Sequence, residues 1–299
     1  MDLPFRSAAV VGGSARFVKA QGEGSLVQDG TAAPAIARNT RAVRLGDSVV
    51  EVVATDASAV YWRSVAEGRW EPATLRFMAR AMQPGSVFVD VGAWVGPLSL
   101  LAARMGARII ALEPDPAAFA ELKTNLDANG VVGEALNAAL HTGPEGITLY
   151  APGGAGRSVS TSFGAGDGIA AASMSVDDLS VRIRGARPHA DAPVIIKIDI
   201  EGHEFVLGDN LAALWREHAA ALHLSLHPRA IWEAARPRMG DLRARRAAFD
   251  ATMRLLAPFR AGAIRLSNAP FAPVTPMVLF QAFRTPRPKN FTVEIGRPR

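Results

Sequence analysis

A run of residues from Val87 to Gly96, Val-Phe-Val-Asp-Val-Gly-Ala-Trp-Val-Gly, could bring a ligand close to the backbone. Gly92 and Gly96 bracket a tight turn after an apolar stretch, and glycine there lets N–H groups approach a bound molecule. Pro97 then opens a helix, where its missing N–H costs little. Glu113 lies 21 residues after Gly92. A carboxylate at that spacing can accept both hydroxyl protons of a ribose, which points to a nucleoside-containing cofactor. The turn reads Gly-x-x-x-Gly, not the Gly-x-Gly-x-x-Gly of dinucleotide sites. Asp90 beside it would repel a pyrophosphate. It suits a ligand carrying an amino group and a sulfonium, the charge pattern of S-adenosylmethionine. The plainer role for Asp90 is a helix N-terminal charge or turn former.

These residues need a frame that carries them to one edge. Ser86–Val91, Arg108–Leu112, Glu134–Ala139, Val194–Ile198 and Ala219–Leu226 read as apolar strands. Pro97–Met105, Pro116–Asn129 and Phe205–Trp215 read as the helices between them. Such alternation predicts an α/β fold, a mostly parallel sheet covered on both faces. Ligands of such sheets sit at the carboxyl ends of the strands. The residues closing them are Asp90, Glu113, Asn137, Asp199 and His227. Upstream, the valines of 43–53 suggest short strands around a Gly46-Asp47 turn, and Trp70-Glu71-Pro72 opens a helix that Pro84-Gly85 ends. Ile147–Tyr150 reads as an added strand, 151–172 as a long loop, and Met174–Leu179 as the entry to a short helix for which Asp177-Asp178 would supply the cap. Ala230–Leu256 reads as helical, broken or kinked at Pro237. Ala263–Leu266 and Met277–Phe283 are expected to form an antiparallel pair at the sheet edge.

Several strings together resemble one family. Val-Asp-Val-Gly-Ala at 89–93, Leu-Glu-Pro-Asp at 112–115, Asn-Ala-Ala-Leu at 137–140 and above all Lys-Ile-Asp-Ile-Glu-Gly-His-Glu at 197–204 are similar to the FkbM-type methyltransferases. Trp-Glu-Pro at 70–72 and Ser-Val-Asp-Asp-Leu at 175–179 are similar too. The resemblance covers roughly residues 68–230. It implies a Rossmann-like class I methyltransferase sheet with an antiparallel edge strand, S-adenosylmethionine as cofactor, and methylation of a hydroxyl on a small molecule, sugar or natural product. It also implies roles. Asp90, Gly92, Ala93 and Gly96 would hold the methionine part, Glu113 the ribose, and Asn137 and Ala138 would lie near the adenine. Asp199 to Glu204 would line the place of methyl delivery. Trp94 stands where the family often has a small polar residue, and would narrow the cofactor pocket or pack on the sheet. The expected domains are an N-terminal extension over 1–67, the methyltransferase domain over 68–287, and a tail over 288–299.

A hydroxyl nucleophile is helped by a base or a cation. The catalytic candidates are Asp199, Glu201, His203 and His227. Glu201 could equally be a helix N-terminal carboxylate, because Gly202 and a helix follow. His203 at a helix start is more often structural, and His227 precedes Pro228 at the ligand-facing edge. Glu71 would touch cofactor or substrate, although a helix-start role is the stronger reading. No metal site is evident from spacing. Asp199, Glu201 and His227 could together hold a hard cation, so a divalent ion is allowed but not indicated.

The whole chain narrows the alternatives. It has 299 residues, 49% hydrophobic and 20% charged, enough apolar material for a sizeable core. There is no cysteine, which excludes disulfides, thiolate metal sites and cysteine nucleophiles. No signal peptide or membrane span is evident, so the reading is a soluble cytoplasmic protein without a membrane partner. Of the 33 Lys and Arg only Lys19, Lys123, Lys197 and Lys289 are lysines. The arginines are scattered, and the densest group (236–246) is interrupted by Asp241 and reads as a solvated helix face. That pattern, with only two tyrosines, weakens a nucleic-acid methyltransferase as the alternative. A nicotinamide-dependent oxidoreductase would need the absent dinucleotide turn, and a non-catalytic cofactor-binding module would predict loss of strand-end residues that are all intact. The expected partner is a small-molecule hydroxyl acceptor. The extension would cover the substrate side or mediate a homodimer.

Overall fold

The computed structural model describes residues 40–143, 145–150, 161–162 and 168–297. Strands β1 (Arg41–Leu45) and β2 (Ser48–Val52) form an antiparallel hairpin about Gly46-Asp47. Helices α1 (Ala59–Ala66) and α2 (Pro72–Ala81) follow. Next comes strand–helix alternation: β3 (Val87–Val91), α3 (Pro97–Arg104), β4 (Arg108–Leu112), α4 (Pro116–Ala128) and β5 (Gly133–Leu136). Four short strands lie outside the main sheet. β6 (Ala139–His141) pairs in parallel with β9 (Ser173–Ser175), and β7 (Ile147–Leu149) pairs antiparallel with β8 (Ile169–Ala171). The alternation then resumes with α5 (Val176–Ala186), β10 (Val194–Ile198), α6 (Glu204–Leu207), α7 (Asp209–His218) and β11 (Ala219–Leu226). The last elements are α8 (Pro228–Met239), α9 (Asp241–Leu256), β12 (Ile264–Leu266), β13 (Ala269–Pro273), α10 (Pro276–Phe283) and β14 (Phe291–Gly296).

The main sheet has the order β13-β12-β14-β11-β10-β3-β4-β5. The five strands from β5 to β11 run parallel, and β14 is antiparallel to both β11 and β12. All five residues of β3 and all five of β10 are buried, as apolar runs covered on both faces must be. From β3 the chain winds one way to β4 and β5, and later the other way to β10 and β11. The strand order therefore reverses between β3 and β10, where a crevice must open at the carboxyl ends.

Several expectations need correction. The expected boundary at 67/68 cuts through a compact unit that starts at Ile36. Val43, Leu45, Val50 and Val52 share one apolar cluster with Leu98, Leu100 and Leu122. Two asparagines, Asn125 in α4 and Asn129 just after it, fasten the hairpin region. Asn125 Oδ1 accepts from Val53 N at 2.7 Å, and Asn129 accepts from Glu51 N and donates to Glu51 O. Residues 288–299 are not a plain tail, because β14 inserts between β11 and β12. Ile264–Leu266 pairs antiparallel with β13 and β14, not with Met277–Phe283. Met277–Phe283 is helical: Pro276 opens α10 and Thr275 caps it, its Oγ1 accepting from Val278 N at 3.2 Å. A short run, apolar but for Gln281, carries no period that separates strand from buried helix.

Smaller corrections follow the same logic. The expected strand at 134–139 is two strands, β5 in the main sheet and β6 outside it. The helix expected over 205–215 is divided at Gly208. The long helix of 230–256 continues through Pro237 and breaks instead at Gly240, φ 79°. Part of the expected 151–172 loop is strand β8; residues 151–160 and 163–167 lie outside the described residues, as do 1–39. The cap of α5 is Ser175, whose Oγ accepts from Asp178 N at 3.0 Å, while Asp177 and Asp178 only place charge in its first turn.

Candidate active site

Two cavities, of about 580 Å³ and about 720 Å³, open at the carboxyl ends of the strands and share Gly92, Trp94, Asp199 and Glu201. The sharp turn after β3 makes room for them. Gly92 has φ +78°, and a Cβ there would lie 1.9 Å from the carbonyl oxygen of Asp199. Only glycine fits. Among the described residues, three non-glycine residues have left-handed backbone: Glu71, Trp94 and Glu201. All three line the second cavity. Such conformations cost about 1–3 kcal/mol each and persist where the surroundings enforce them, commonly at functional sites.

The first cavity is mostly apolar, with Leu112, Pro114, Ala138, Leu140, Ile147 and Leu149 in its wall. Its buried charge is Glu113, at the end of β4. Glu113 Oε2 accepts from Trp94 N and Oε1 from Asp115 N, each at 2.8 Å. Burial pushes its carboxyl up to about 7, against the pull of those two N–H groups. Asn137 Nδ2 donates to the Glu113 carbonyl at 2.8 Å and to Pro114 O at 3.2 Å, so it braces this strand end. His203 also lines this cavity. Its Nδ1 faces Ser162 Oγ at 2.8 Å and its Nε2 faces His141 Nδ1 at 3.0 Å. Burial, then His141, hold it down to about 4, so it is neutral near pH 7.

The second cavity is acidic and aromatic. Asp90, 1% exposed, is level with Lys197 on the neighbouring strand β10. The Lys197 Nζ lies 3.2 Å from Asp90 Oδ1 and donates to Gly92 O at 2.6 Å, while Ser99 Oγ donates to Asp90 Oδ2. Burial pulls the Lys197 ammonium down, but Asp90, Asp199 and Glu71 outweigh it and leave its pKa raised. Asp90 is thus paired with Lys197 and Ser99, although its Oδ1 makes no hydrogen bond among the described residues, and Glu71 and Asp199 are further carboxylates of the cavity. Burial raises Glu71, with Thr74 Oγ1 donating to its Oε2. Tyr61 stands against Trp94, ring centroids 4.3 Å apart, and against Trp70 at 5.3 Å. Its hydroxyl is buried and has no hydrogen-bond partner among the described residues. Burial, then Glu71, Asp90 and Asp199, raise its pKa well above the usual range, so it remains a proton donor.

Behind Asp199 and Glu201 stands His227. Its Nε2 lies 3.4 Å from Asp199 Oδ1 and 3.5 Å from Glu201 Oε2, and its Nδ1 lies 3.2 Å from Glu204 Oε1. Burial opposes a charge on the ring, yet Glu204, Asp199 and Glu201 raise it to about 9. The ring is therefore protonated near pH 7.

The structure brings Glu71, Asp90, Gly92, Ala93, Trp94, Glu113, Ala138, Asp199, Glu201 and His203 to the walls of the two cavities. Gly96, Asn137 and His227 are not in either wall. Gly96 starts α3 with φ +91°, Asn137 braces, and His227 backs the carboxylates. Sequence reasoning missed Tyr61, Trp70 and Lys197 as cavity residues. Lys197 carried a usable signal: a lone charge in the apolar strand Val-Ile-Ile-Lys-Ile needs a buried partner.

Comparison with known proteins finds a matching family model. Residues 90–230 match the methyltransferase FkbM domain. The match spans just under half of the chain. The ribosomal protein L11 methyltransferase of Pelotomaculum thermopropionicum is 39% identical over 61 residues, 20% of this chain and 20% of that protein. The chain thus matches about a fifth of that relative's length. Among solved structures, the FkbM methyltransferase of Methylobacillus flagellatus is 17% identical, covering 81% of this chain and 55% of that one, with a TM-score of 0.36. An rRNA methylase of Streptococcus thermophilus is 11% identical, covering 77% and 98%, with a TM-score of 0.41. A tRNA (uracil-54, C5)-methyltransferase of Pyrococcus abyssi, solved with S-adenosyl-L-homocysteine, is 11% identical, covering 87% and 44%, with a TM-score of 0.37. No helix among the described residues is long and apolar enough to cross a membrane.

Proposed function

We propose that the chain is an FkbM-type methyltransferase that binds S-adenosylmethionine and methylates a hydroxyl oxygen of a small molecule. The observation that carries the reading is the buried Glu113 carboxylate at the end of β4, in the wall of a cavity that continues past Gly92 into a second one. The residues fit that cofactor. Glu113 offers its remaining lone pairs to a ribose diol, and the apolar wall around Ala138 and Leu140 suits a base. In the second cavity Glu71 and Asp199 suit an ammonium, and the orphaned Tyr61 hydroxyl and the Lys197 ammonium suit a carboxylate.

When bound, the cofactor supplies an electrophilic methyl group. The protein's work is then alignment and exclusion of water. Trp94, set by its left-handed backbone between the cavities, is the wall that lines up the two halves. Asp199 and Glu201 face the junction and hold the acceptor hydroxyl by accepting its proton in a hydrogen bond. His203, neutral near pH 7, lines the first cavity with both ring nitrogens engaged by Ser162 and His141. The small-molecule reading rests on the acceptor end being a walled cavity with carboxylates, which suits a neutral hydroxyl better than a polyanionic backbone. The cysteine-free sequence suits a cytoplasmic setting.

Calorimetric titration of S-adenosylmethionine into wild type and Glu113→Ala tests this. Binding by wild type that the variant loses is the expected result. A folded wild type that binds nicotinamide dinucleotide and not S-adenosylmethionine overturns it.

A further inference from the structure

We propose that Asp199 Oδ1, Glu201 Oε2 and His227 Nε2 form a binding site for a hard divalent cation of the Mg2+ or Mn2+ class. The three atoms lie within 4.8 Å of one another. The His227 side chain is 8% exposed and its ring is fixed from behind. Glu204, fully buried, accepts from the backbone N–H groups of His227 at 2.6 Å and Gly202 at 2.9 Å, and its Oε1 faces His227 Nδ1. That contact commits Nδ1 to the buried carboxylate and aims Nε2 the other way, between two more carboxylates. Nε2 makes only the approaches of 3.4 and 3.5 Å, longer than a good hydrogen bond. Among the described residues, neither the Asp199 nor the Glu201 carboxylate has a hydrogen bond.

Two features turn this cluster into a cation site. A ligating histidine nearly always gives its other ring N–H to a carboxylate, a backbone carbonyl or water, and Glu204 takes that part here. The nitrogen left over is deeply placed and aimed at the carboxylate pair, so three ligand atoms converge from one side, and a bound cation takes the place of the Nε2 proton, which leaves to solvent. Two oxygens and an imidazole suit Mn2+ or Mg2+ rather than a soft metal. Asp199 and Glu201 line both cavities, so the remaining coordination positions open toward the acceptor. What the cation does there rests on the methyl-transfer reading. It would polarise the acceptor's O–H bond, the proton leaving to water, and would favour an acceptor with two neighbouring oxygens.

The test is a Mn2+ titration of the full chain followed by electron paramagnetic resonance, with Glu201→Gln and His227→Gln beside wild type. One Mn2+ per wild-type chain, displaced by Mg2+ and weakened at least about tenfold in each variant, is expected. Because a variant could fail to fold, the wild type alone gives a second readout: Mn2+ should broaden the ring signals of His227 before those of the distant His218. Absence of stoichiometric Mn2+ binding by wild type, unchanged binding in both folded variants, or broadening that spares His227 overturns the site. S-adenosylmethionine titrations without metal on the same samples separate the two proposals. Their failure strikes the methyl-transfer reading, and failure of Mn2+ binding strikes the cation site.

Discussion

The two cavities that meet at Gly92 are built on opposite plans. The one around Glu113 comes largely from strand ends close in sequence, and it buries a single carboxylate whose oxygens are met by two backbone N–H groups. The one around Lys197 gathers Tyr61, Trp70, Glu71, Asp90 and Lys197 from α1, the segment before α2, β3 and β10. It settles its charges between strands, Asp90 against Lys197. The difference shows two ways of keeping a charge inside a sheet. An isolated carboxylate gives way on its pKa, whereas a paired one depends on its partner.

Breaking the pair should produce the largest effect. Lys197→Met leaves the Asp90 carboxylate buried without its cation, and about 3–5 kcal/mol of stability should go, read from urea unfolding. Adding Asp90→Asn should recover most of it; a single variant as stable as wild type would mean that the pair does not hold the second cavity. The Glu113 side should respond to pH instead. Its carboxyl sits at about 7 in the free protein, and ribose hydroxyls favour the ionised form. Affinity for S-adenosylmethionine should therefore be full above pH 7 and fall below it, by up to about tenfold per pH unit. In Glu113→Gln the affinity should be lower and flat across that range. The smallest effect sharpens the contrast. Tyr61→Phe removes a buried hydroxyl that has no partner among the described residues, so the ligand-free protein should gain about 1 kcal/mol in thermal or urea unfolding. The same change should weaken cofactor binding if the ligand satisfies that hydroxyl, and a loss of stability would show that the hydroxyl is not an orphan.

The same division governs what could be read from residue order. β4, β10 and β11 fall where their apolar runs place them, because strands buried on both faces are bounded sharply by polar or turn residues. Glu113 and Asp199 were legible for the same reason, being the residues that close such runs. Tyr61 and Trp70 were not, since only the docking of the hairpin and α1 on α4 brings them to the cleft. Part of that docking rests on Glu121, which receives hydrogen bonds from Thr55, Ser58 and Trp62. The left-handed backbone of Trp94 and Glu201 was hidden as well, because nothing in a tryptophan or a glutamate announces positive φ. β14 did carry a sign. Phe-Thr-Val-Glu-Ile alternates with period two, and its buried residues are Val293 and Ile295.

The position of β14 also dictates an order of assembly. It lies between β11 and β12, yet it follows both along the chain. During synthesis the β12–β13 hairpin has no docking place on the sheet until β14 has emerged, and β11 meanwhile presents an open row of N–H and C=O groups. That late closing strand makes the nascent domain most prone to mispairing in its final stage, and a chaperone or slowed elongation there would improve yield more than one acting on the first strands.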